Sequence, residues 1–296
     1  MFDWDDMRIF LSVARAESLS GAARRLRVDP ATVSRRIARL EAEADAVLFV
    51  KSPQGYVPTE AGARLIAHAE AAERAMEAAR EDLQGRAEGL TGTIRLGAPD
   101  GCATYLLPAV TARIAQANPG LDIQVVALPR VFNLSRREAD MAIGVSRPTA
   151  GRLRIQKIAD YTLSLAAARD YLAGRPEIRS RADLRDHPIV GYIPDMIFDS
   201  ELDYLTEAGL QRVDFASNSV PVQIGWLKAG AGVGVIHDFV RPDAPDLVSV
   251  LADEFRLSRA FWLIRHADDA RVARLNRFAE ALVDEMRAEI AARAHA

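Results

Sequence analysis

With 296 residues, the chain has a length typical of about two domains of ~150 residues each. Its composition, with 49% hydrophobic and 27% charged residues, is that of a globular protein. A net charge of −3 argues against a protein that coats nucleic acid, and a single cysteine excludes an intrachain disulfide or a cysteine-rich metal site.

No stretch of 18 apolar residues occurs, which predicts that the chain has no membrane-spanning helix. The first residues are acidic, whereas a secretory signal is basic and then apolar, so we expect a cytoplasmic protein. The five histidines are never three or four residues apart, the spacing that places two metal ligands on one helix face. We therefore predict neither a metal nor a cofactor.

The N-terminal region predicts three short helices and a hairpin. Apolar residues recur at helical spacing from Trp4 to Ala16. Ser20 stands before a short second helix as a candidate N-cap, and Pro30 precedes a third helix over about residues 31–43. Two β-rich pieces follow, at residues 47–50 and 56–57, and they fit the hairpin of a wing.

Two short helices that pack around a turn require a small residue and then apolar residues at fixed offsets. This pattern occurs at offsets 0, 3, 5, 10 and 14, in Ala23, Leu26, Val28, Val33 and Ile37. Any three-helix bundle can produce the same offsets. The charge distribution favours DNA binding, because residues 21–40 contain six arginines and one aspartate.

The third helix is the predicted recognition helix. If Val33, Ile37 and Leu40 face the core, the opposite face is free to enter the major groove. Arginine can read guanine through two hydrogen bonds, although an arginine-rich face can also be merely solvated. With neighbouring positions and the wing, the predicted DNA-binding residues are Ser20, Pro30, Ala31, Thr32, Ser34, Arg35, Arg36, Arg39, Lys51 and Gln54.

A long helix is predicted from Thr59 to about Gln84. Its small and apolar residues form two interleaved series with a spacing of seven, Leu65, Ala72 and Ala79, and Ala69, Met76 and Leu83. Such a heptad seam favours close packing against another helix, and packing on its own domain is the alternative. Glycines at 85, 89 and 92 end the helix, which predicts domains at residues 1–58, 59–90 and 91–296.

After Thr93 strands alternate with helices, which is typical of a mostly parallel sheet. We predict strands at residues 94–97, 121–128, 141–145, 154–168, 189–193, 233–237 and 261–266, and helices at 105–117, 219–229 and 269–292. The glycine run 230–234 comes before its strand, whereas a phosphate-binding loop follows one. We therefore interpret it as a structural turn.

Residues 1–65 resemble the DNA-binding head of a LysR-type transcription regulator. The resemblance rests on residues 7–14, 18–23 and 31–41, with Leu48-Phe49 and Thr59-Glu60-Ala61-Gly62. It continues at residues 137–144 and 230–235. Four features depart from the usual patterns: Arg27 stands at the helix-turn-helix offset where glycine is frequent, Pro30-Ala31 stands where Gln-Pro or similar is frequent, Asp45 replaces the glycine after the recognition helix, and Lys51 replaces the wing arginine. Aspartate tolerates a left-handed turn, and lysine keeps the charge without bidentate contact.

The resemblance implies an α+β multidomain protein with a winged helix-turn-helix, a long linker helix and a periplasmic-binding-protein-like α/β domain. That domain would have two subdomains, about residues 91–166 with 267–296, and 167–266. The linker helix would pair with its copy in a dimer, and two dimers would form a tetramer. The implied partners are double-stranded DNA with a roughly palindromic operator and a small-molecule effector held between the subdomains.

Ligands of open α/β sheets bind at the carboxyl ends of strands, and a helix N-terminus can hold an anionic group. Asp100, Asn218 and Ser219 could equally be helix caps, and Arg130 a solvated side chain. Cys102 could be a redox sensor, although no resolving cysteine exists. The predicted effector-binding residues are Asp100, Gly101, Cys102, Thr104, Arg130, Asn133, Gly144, Ser146, Pro194, Asn218, Ser219, Val220 and His237.

We predict an effector-responsive transcription regulator that is not an enzyme, because the sequence shows no nucleophile–base pair, metal cluster or cofactor loop. Two alternatives stay open. One is a DNA-binding regulator without a ligand, since a degenerate cleft would give the same sequence pattern. The other is a solute-binding-type protein, which the DNA-binding head and the acidic N-terminal segment disfavour.

Overall fold

The structure is a computed structural model that describes residues 2–52, 55–83, 90–127, 139–210 and 212–294. The chain forms two compact units, Met1–Ala87 and Glu88–Ala296. Within the described ranges, no helix has the length and apolar character needed to cross a membrane.

The first unit contains three short helices, a hairpin and a long helix. Its elements are α1 (Trp4–Ala16), α2 (Leu19–Leu26), α3 (Pro30–Ala44), β1 (Phe49–Ser52), β2 (Gly55–Pro58) and α4 (Glu60–Leu83). The antiparallel pair β1–β2 is the predicted wing. Fully buried side chains from α1 and α3, Phe10, Val33 and Leu40, form the centre of the core. Burying one such side chain stabilises the fold by about 1.5–3 kcal/mol.

Local chemistry explains where the short helices begin and end. The Asp29 carboxylate accepts a hydrogen bond from the Ala31 N–H at 2.7 Å, and Pro30 takes the first position of α3. Arg27 and Asp45, the two replacements of glycine, end α2 and α3 at φ 57° and 46°. The prediction of Ser20 as the N-cap is wrong. Ser18 caps α2, since its hydroxyl accepts from the Gly21 N–H at 3.2 Å.

In its described residues, the second unit contains one nine-stranded sheet and six α-helices. The strands are β3 (Thr91–Ala98), β4 (Gly120–Ala127), β5 (Met141–Gly144), β6 (Leu153–Ala168), β7 (Ile189–Gly191), β8 (Phe215–Ala216), β9 (Val233–His237), β10 (Leu247–Val250) and β11 (Arg256–His266). The α-helices in the described part of this unit are α5 (Asp100–Tyr105), α6 (Leu107–Ala117), α7 (Arg169–Ala173), α8 (Tyr204–Glu207), α9 (Val220–Lys228) and α10 (Ala273–Ala294).

Two long antiparallel strands, β6 and β11, run through the middle of the sheet, whose order is β4-β3-β5-β11-β6-β9-β7-β8, with β10 beside β6. On one side β3 is parallel to β4 and β5, and on the other β7 is parallel to β8 and β9. We call the side with β3–β5 the first half and the side with β7–β9 the second half. The last helix, α10, returns to the first half, where Glu285 and Glu289 pair with Arg113 of α6.

Some short elements differ from the sequence prediction, and the glycine run agrees with it. The helix predicted at residues 105–117 is confirmed as α6 (Leu107–Ala117), but the short helix α5 (Asp100–Tyr105) before it was not predicted. The strands β8 and β10 were not predicted, since two and four residues are too few to show a period. The glycine run is a structural turn, as predicted: Gly230 has φ 75°, and a Cβ on Gly232 would lie 2.1 Å from the Pro188 carbonyl oxygen.

Candidate DNA interface and effector site

The recognition helix α3 buries Val33, Ile37 and Leu40 and exposes Ala31, Ser34 and Arg35, as the periodicity predicts. Arg35 donates from Nη2 to the Thr32 hydroxyl at 3.2 Å. Across the described ranges it forms no ion pair with a carboxylate. Its guanidinium therefore keeps donors available for a guanine edge or a phosphate.

Arg36 and Arg39 are paired with carboxylates of the same unit, and their contact with DNA stays a prediction. Asp6 of α1 is 1% exposed, and its two carboxylate oxygens accept from Arg36 Nη1 at 2.8 Å and from Arg39 Nε at 2.5 Å. Asp3 accepts from Arg39 Nη2 at 2.9 Å, and Asp5 lies 3.3 Å from Arg36 Nη2. The Asp5 backbone N–H and these two guanidinium groups lower the pKa of the Asp3 carboxyl.

The other predicted DNA-binding residues are spread over three elements. Ser20 is exposed on α2, Pro30 is exposed at the start of α3, and Lys51 is exposed on β1. Thr32 is half-buried. Gln54 lies outside the described residues. The structure thus places α3 and one wing strand at the surface, which leaves their proposed contacts with DNA as predictions.

The heptad seam of α4 divides into two parts. Ala69 is fully buried in the core of its own unit, and Leu65 packs against that core. Arg15 of α1 also holds α4, with Nη2 at 2.7 Å from a Glu73 oxygen. Further along, Met76 is 56% exposed and Ala79 is exposed. The first part of the seam therefore stabilises the head, and the second part remains at the surface.

In the second unit, Asp100 joins the two halves. Its Oδ2 accepts from the Val220 N–H at 2.9 Å, and its Oδ1 accepts from the Gly101 N–H at 2.9 Å. A Cβ on Gly101 would lie 3.1 Å from Val220 Cγ1, so the halves touch here. The Ser219 side chain makes no capping bond. An internal carboxylate thus occupies the start of α9, where the sequence predicted an effector anion.

A second hydrogen bond between the halves joins the Ser146 hydroxyl to the Asp199 carboxylate. Gly144 packs closely against β11, because a Cβ there would lie 2.7 Å from Ile264 Cδ1. Thr104 is exposed on α5, and Asn218 is half-buried. Arg130 and Asn133 lie outside the described residues.

His237 lies in a buried aromatic cluster, with ring centroids 5.6 Å from Tyr161, 5.0 Å from Phe239 and 5.8 Å from Tyr204. Its Nε2 is 3.4 Å from the Tyr204 hydroxyl, and its Nδ1 has no hydrogen-bond partner among the described residues. Burial lowers the pKa of His237 to about 4. The ring is therefore neutral at neutral pH, because an imidazolium would lose its hydration there.

The surroundings of Cys102 and Asp238 indicate structural roles for both side chains. Burial of the Cys102 side chain, which is 1% exposed, raises the pKa of its thiol. A thiol that stays protonated is a poor nucleophile, so the redox-sensor alternative loses its chemical basis. Asp238 accepts from the hydroxyls of Thr162 and Ser164 at 2.5 and 2.6 Å and pairs with Arg241. These contacts hold the chain in place just after β9.

A cavity of about 280 Å³ lies within the second half, near the carboxyl end of β7. Pro194 is the predicted residue in its lining. Sequence reasoning missed Tyr192, Tyr204 and Gln223, which carry polar groups and line the wall. Gln223 could have been recognised, because it is a polar residue inside the otherwise apolar first two turns of α9.

The sequence matches two family models. Residues 4–63 match the bacterial regulatory helix-turn-helix of the lysR family, and residues 87–287 match the LysR substrate binding domain. The chain therefore belongs to the LysR-type transcription regulators, which combine a DNA-binding helix-turn-helix with a substrate-binding domain.

Individual relatives agree with this family. The HTH-type transcriptional regulator DgdR of Burkholderia cepacia is 35% identical over 50% of each chain, so the match spans about half the length of that relative. A probable hydrogen peroxide-inducible genes activator of Mycobacterium avium is 31% identical over 80% of this chain and 78% of its own length. A full-length OxyR variant from Pseudomonas aeruginosa superposes with a TM-score of 0.75 at 18% identity, covering 97% of this chain and 95% of that one.

Proposed function

We propose that this protein is a sequence-specific, cytoplasmic DNA-binding transcription regulator whose activity is modulated by a small molecule bound in its second unit. The observation that carries the proposal is the recognition helix, on which Arg35 stands exposed beside Ser34 in a capped helix-turn-helix. Arg35 reads a base, and Arg36 and Arg39 contact flanking phosphates only after exchanging their aspartate partners for DNA.

The proposed reading unit is a homodimer. The exposed part of the α4 seam, around Met76, offers a surface for a second copy. Two recognition helices would then read two half-sites in a roughly palindromic operator. By family likeness two dimers would form a tetramer. Sedimentation of the full chain with Met76→Glu tests the seam, and a loss of dimer is the expected result.

A second candidate is a DNA-binding regulator that needs no ligand. The hydrogen bonds Asp100–Val220 and Ser146–Asp199 favour it, because they join the two halves without any bound molecule. The cavity of about 280 Å³ in the second half favours an effector. We place the effector first because apolar cavities lined by a few polar groups are typical ligand sites.

Selection of genomic DNA fragments by the purified full chain tests the function. We expect one enriched, roughly palindromic site, and Arg35→Ala should weaken its binding by about 1–3 kcal/mol and relax one base position. The matched control is Arg179→Ala, which removes the same charge from an exposed position of the second unit. Absence of any enriched site with folded, dimeric protein would refute sequence-specific binding.

A further inference from the structure

The cavity in the second half is large enough for a one-ring organic molecule. Its volume is about 280 Å³, whereas an apolar cavity of about 150 Å³ is sufficient for benzene. Most of its wall is aliphatic and includes Ile197, Leu202 and Leu210. It lies beside the carboxyl end of β7, the edge at which parallel sheets bind their ligands.

Among the described residues that line the wall there is no arginine, lysine or histidine, and Asp203 is the charged residue among them. An Asp203 oxygen already accepts from the Thr206 N–H at 3.3 Å. An anionic ligand would therefore enter without a cationic partner, and a buried unpaired charge is strongly unfavourable. The backbone N–H of Val220 offers no alternative, because Asp100 accepts from it.

Apart from Asp203, the polar groups in and behind the wall are uncharged at neutral pH. Burial raises the pKa values of the Tyr192 and Tyr204 hydroxyls. Burial also lowers the pKa of His237, which lies behind Tyr204, to about 4. Gln223 is buried, and its amide nitrogen donates to the Ser217 carbonyl at 2.8 Å. The amide oxygen is thus the group with which Gln223 can accept a hydrogen bond from a ligand.

We propose that this cavity binds an uncharged, mainly apolar molecule of about one ring, which carries a hydroxyl or amide N–H group that donates to Gln223. This inference rests on the proposed function, since the molecule is the effector of the regulator. It differs from the sequence prediction, in which a helix N-terminus and Arg130 would hold an anion.

Three compounds of one shape test the proposal: benzamide, benzyl alcohol and benzoate. Calorimetric titration of the full chain at pH 7 should show that at least one neutral compound binds about tenfold or more tightly than benzoate. Tighter binding of benzoate, or binding of none of the three, would overturn the proposal. Benzylammonium serves as a fourth probe, and a preference for this cation would also overturn it, because Asp203 would then be the binding partner.

The variant Val213→Phe places a ring in the cavity, since Val213 is a half-buried part of its wall. Its control is Val248→Phe, the same change at a half-buried position on β10 that does not line the cavity. We expect Val213→Phe to abolish binding of the neutral probe and Val248→Phe to leave it unchanged. Equal binding by Val213→Phe and the original chain would place the probe elsewhere and overturn the proposal.

A gentler variant, Gln223→Met, removes the acceptor amide at nearly constant volume. Benzamide and benzyl alcohol should then bind about fivefold to tenfold more weakly, with toluene unaffected. Equal loss for toluene would overturn the role of Gln223. Selection of an operator by a chain that fails these tests would leave the proposed function standing, whereas failure to select any operator would remove the function irrespective of the probes.

Discussion

In each of the two units, an internal carboxylate holds a group that the sequence assigns to an external anion. In the head, Asp6 binds the guanidinium groups of Arg36 and Arg39, which were expected to meet DNA phosphates. In the second unit, Asp100 accepts from the Val220 N–H, which was expected to hold an effector. The units differ in what surrounds these contacts.

In the head the arginines are partly exposed, at 31% and 46%, so phosphate can approach them from solvent. In the second unit Val220 is buried, so its N–H and the Asp100 carboxylate that accepts from it lie where the two halves pack together. At a solvent-exposed surface, an arginine in an internal ion pair can therefore exchange its carboxylate partner for an external anion. A carboxylate that joins two packed halves instead excludes one.

The largest expected effect tests whether the buried His237 of the second unit is uncharged. His237 has a pKa of about 4 when folded and about 6.5 when unfolded. Between these values the unfolded chain binds a proton that the folded chain does not. Stability should therefore fall by about 3 kcal/mol as the pH is lowered from 6.5 to 4, and no further from this group below pH 4. Urea unfolding at several pH values measures this change in the free energy of unfolding.

The three tryptophans allow the two units to be followed separately. Trp4 lies in the head, and Trp226 and Trp262 lie in the second unit, so Trp4→Phe leaves fluorescence from the second unit alone. In that background His237→Gln should flatten the pH dependence, with a remainder in the same direction from His187, whose pKa burial also lowers. The exposed His68→Gln is the control. An unchanged slope in His237→Gln would contradict a neutral buried imidazole.

Next in size is the loss of the carboxylate that joins the two halves. Asp100→Ala removes a charged hydrogen-bond acceptor from the Val220 N–H and should lower the free energy of unfolding of the second unit by about 2 kcal/mol. Asp122→Ala, at an exposed position of β4, is the control for lost charge. The variant should also acquire sulfate binding at the start of α9. A variant as stable as the original would show that this contact contributes nothing.

The smallest effect concerns the exchangeable pairs in the head. Asp6→Asn weakens the ion pairs of Arg36 and Arg39, so both guanidinium groups can neutralise DNA phosphates without first leaving a carboxylate partner. The slope of log K against log salt for non-specific DNA should then become steeper by about 1 to 2. Asp122→Asn controls for the change in net charge. A slope that does not change would mean that the aspartates do not compete with DNA for these arginines.

Local signals made the head predictable. Val33, Ile37 and Leu40 follow the helical period, and Pro30 and Asp45 sit where helices begin and end, so neighbours along the chain sufficed. The same signals misplaced one cap, because Ser18 and Ser20 are both competent and only packing chooses between them. The state of Arg36 depended on Asp6, 30 residues earlier, which no local pattern indicates.

The effector site was harder to predict for the same reason. The strand β9 was predicted to the residue from its apolar run, yet Asp100 meets Val220 across 120 residues. The rule for strand ends found Pro194 but not Tyr204, since Tyr204 lies on a helix of four residues. Gln223 could be noticed in the sequence, because it is a polar residue in an apolar helix. Its role can be interpreted only with the cavity beside it.

The two long strands β6 and β11 affect how one half of the second unit can move relative to the other. β6 and β11 stay paired from Arg256 opposite Ser164 to His266 opposite Leu153, with one irregularity between Phe261 and Trp262. The two halves thus share a continuous ladder in place of a loop hinge. A rotation of one half relative to the other would therefore change the twist of this ladder, and the irregularity between Phe261 and Trp262 lies within it.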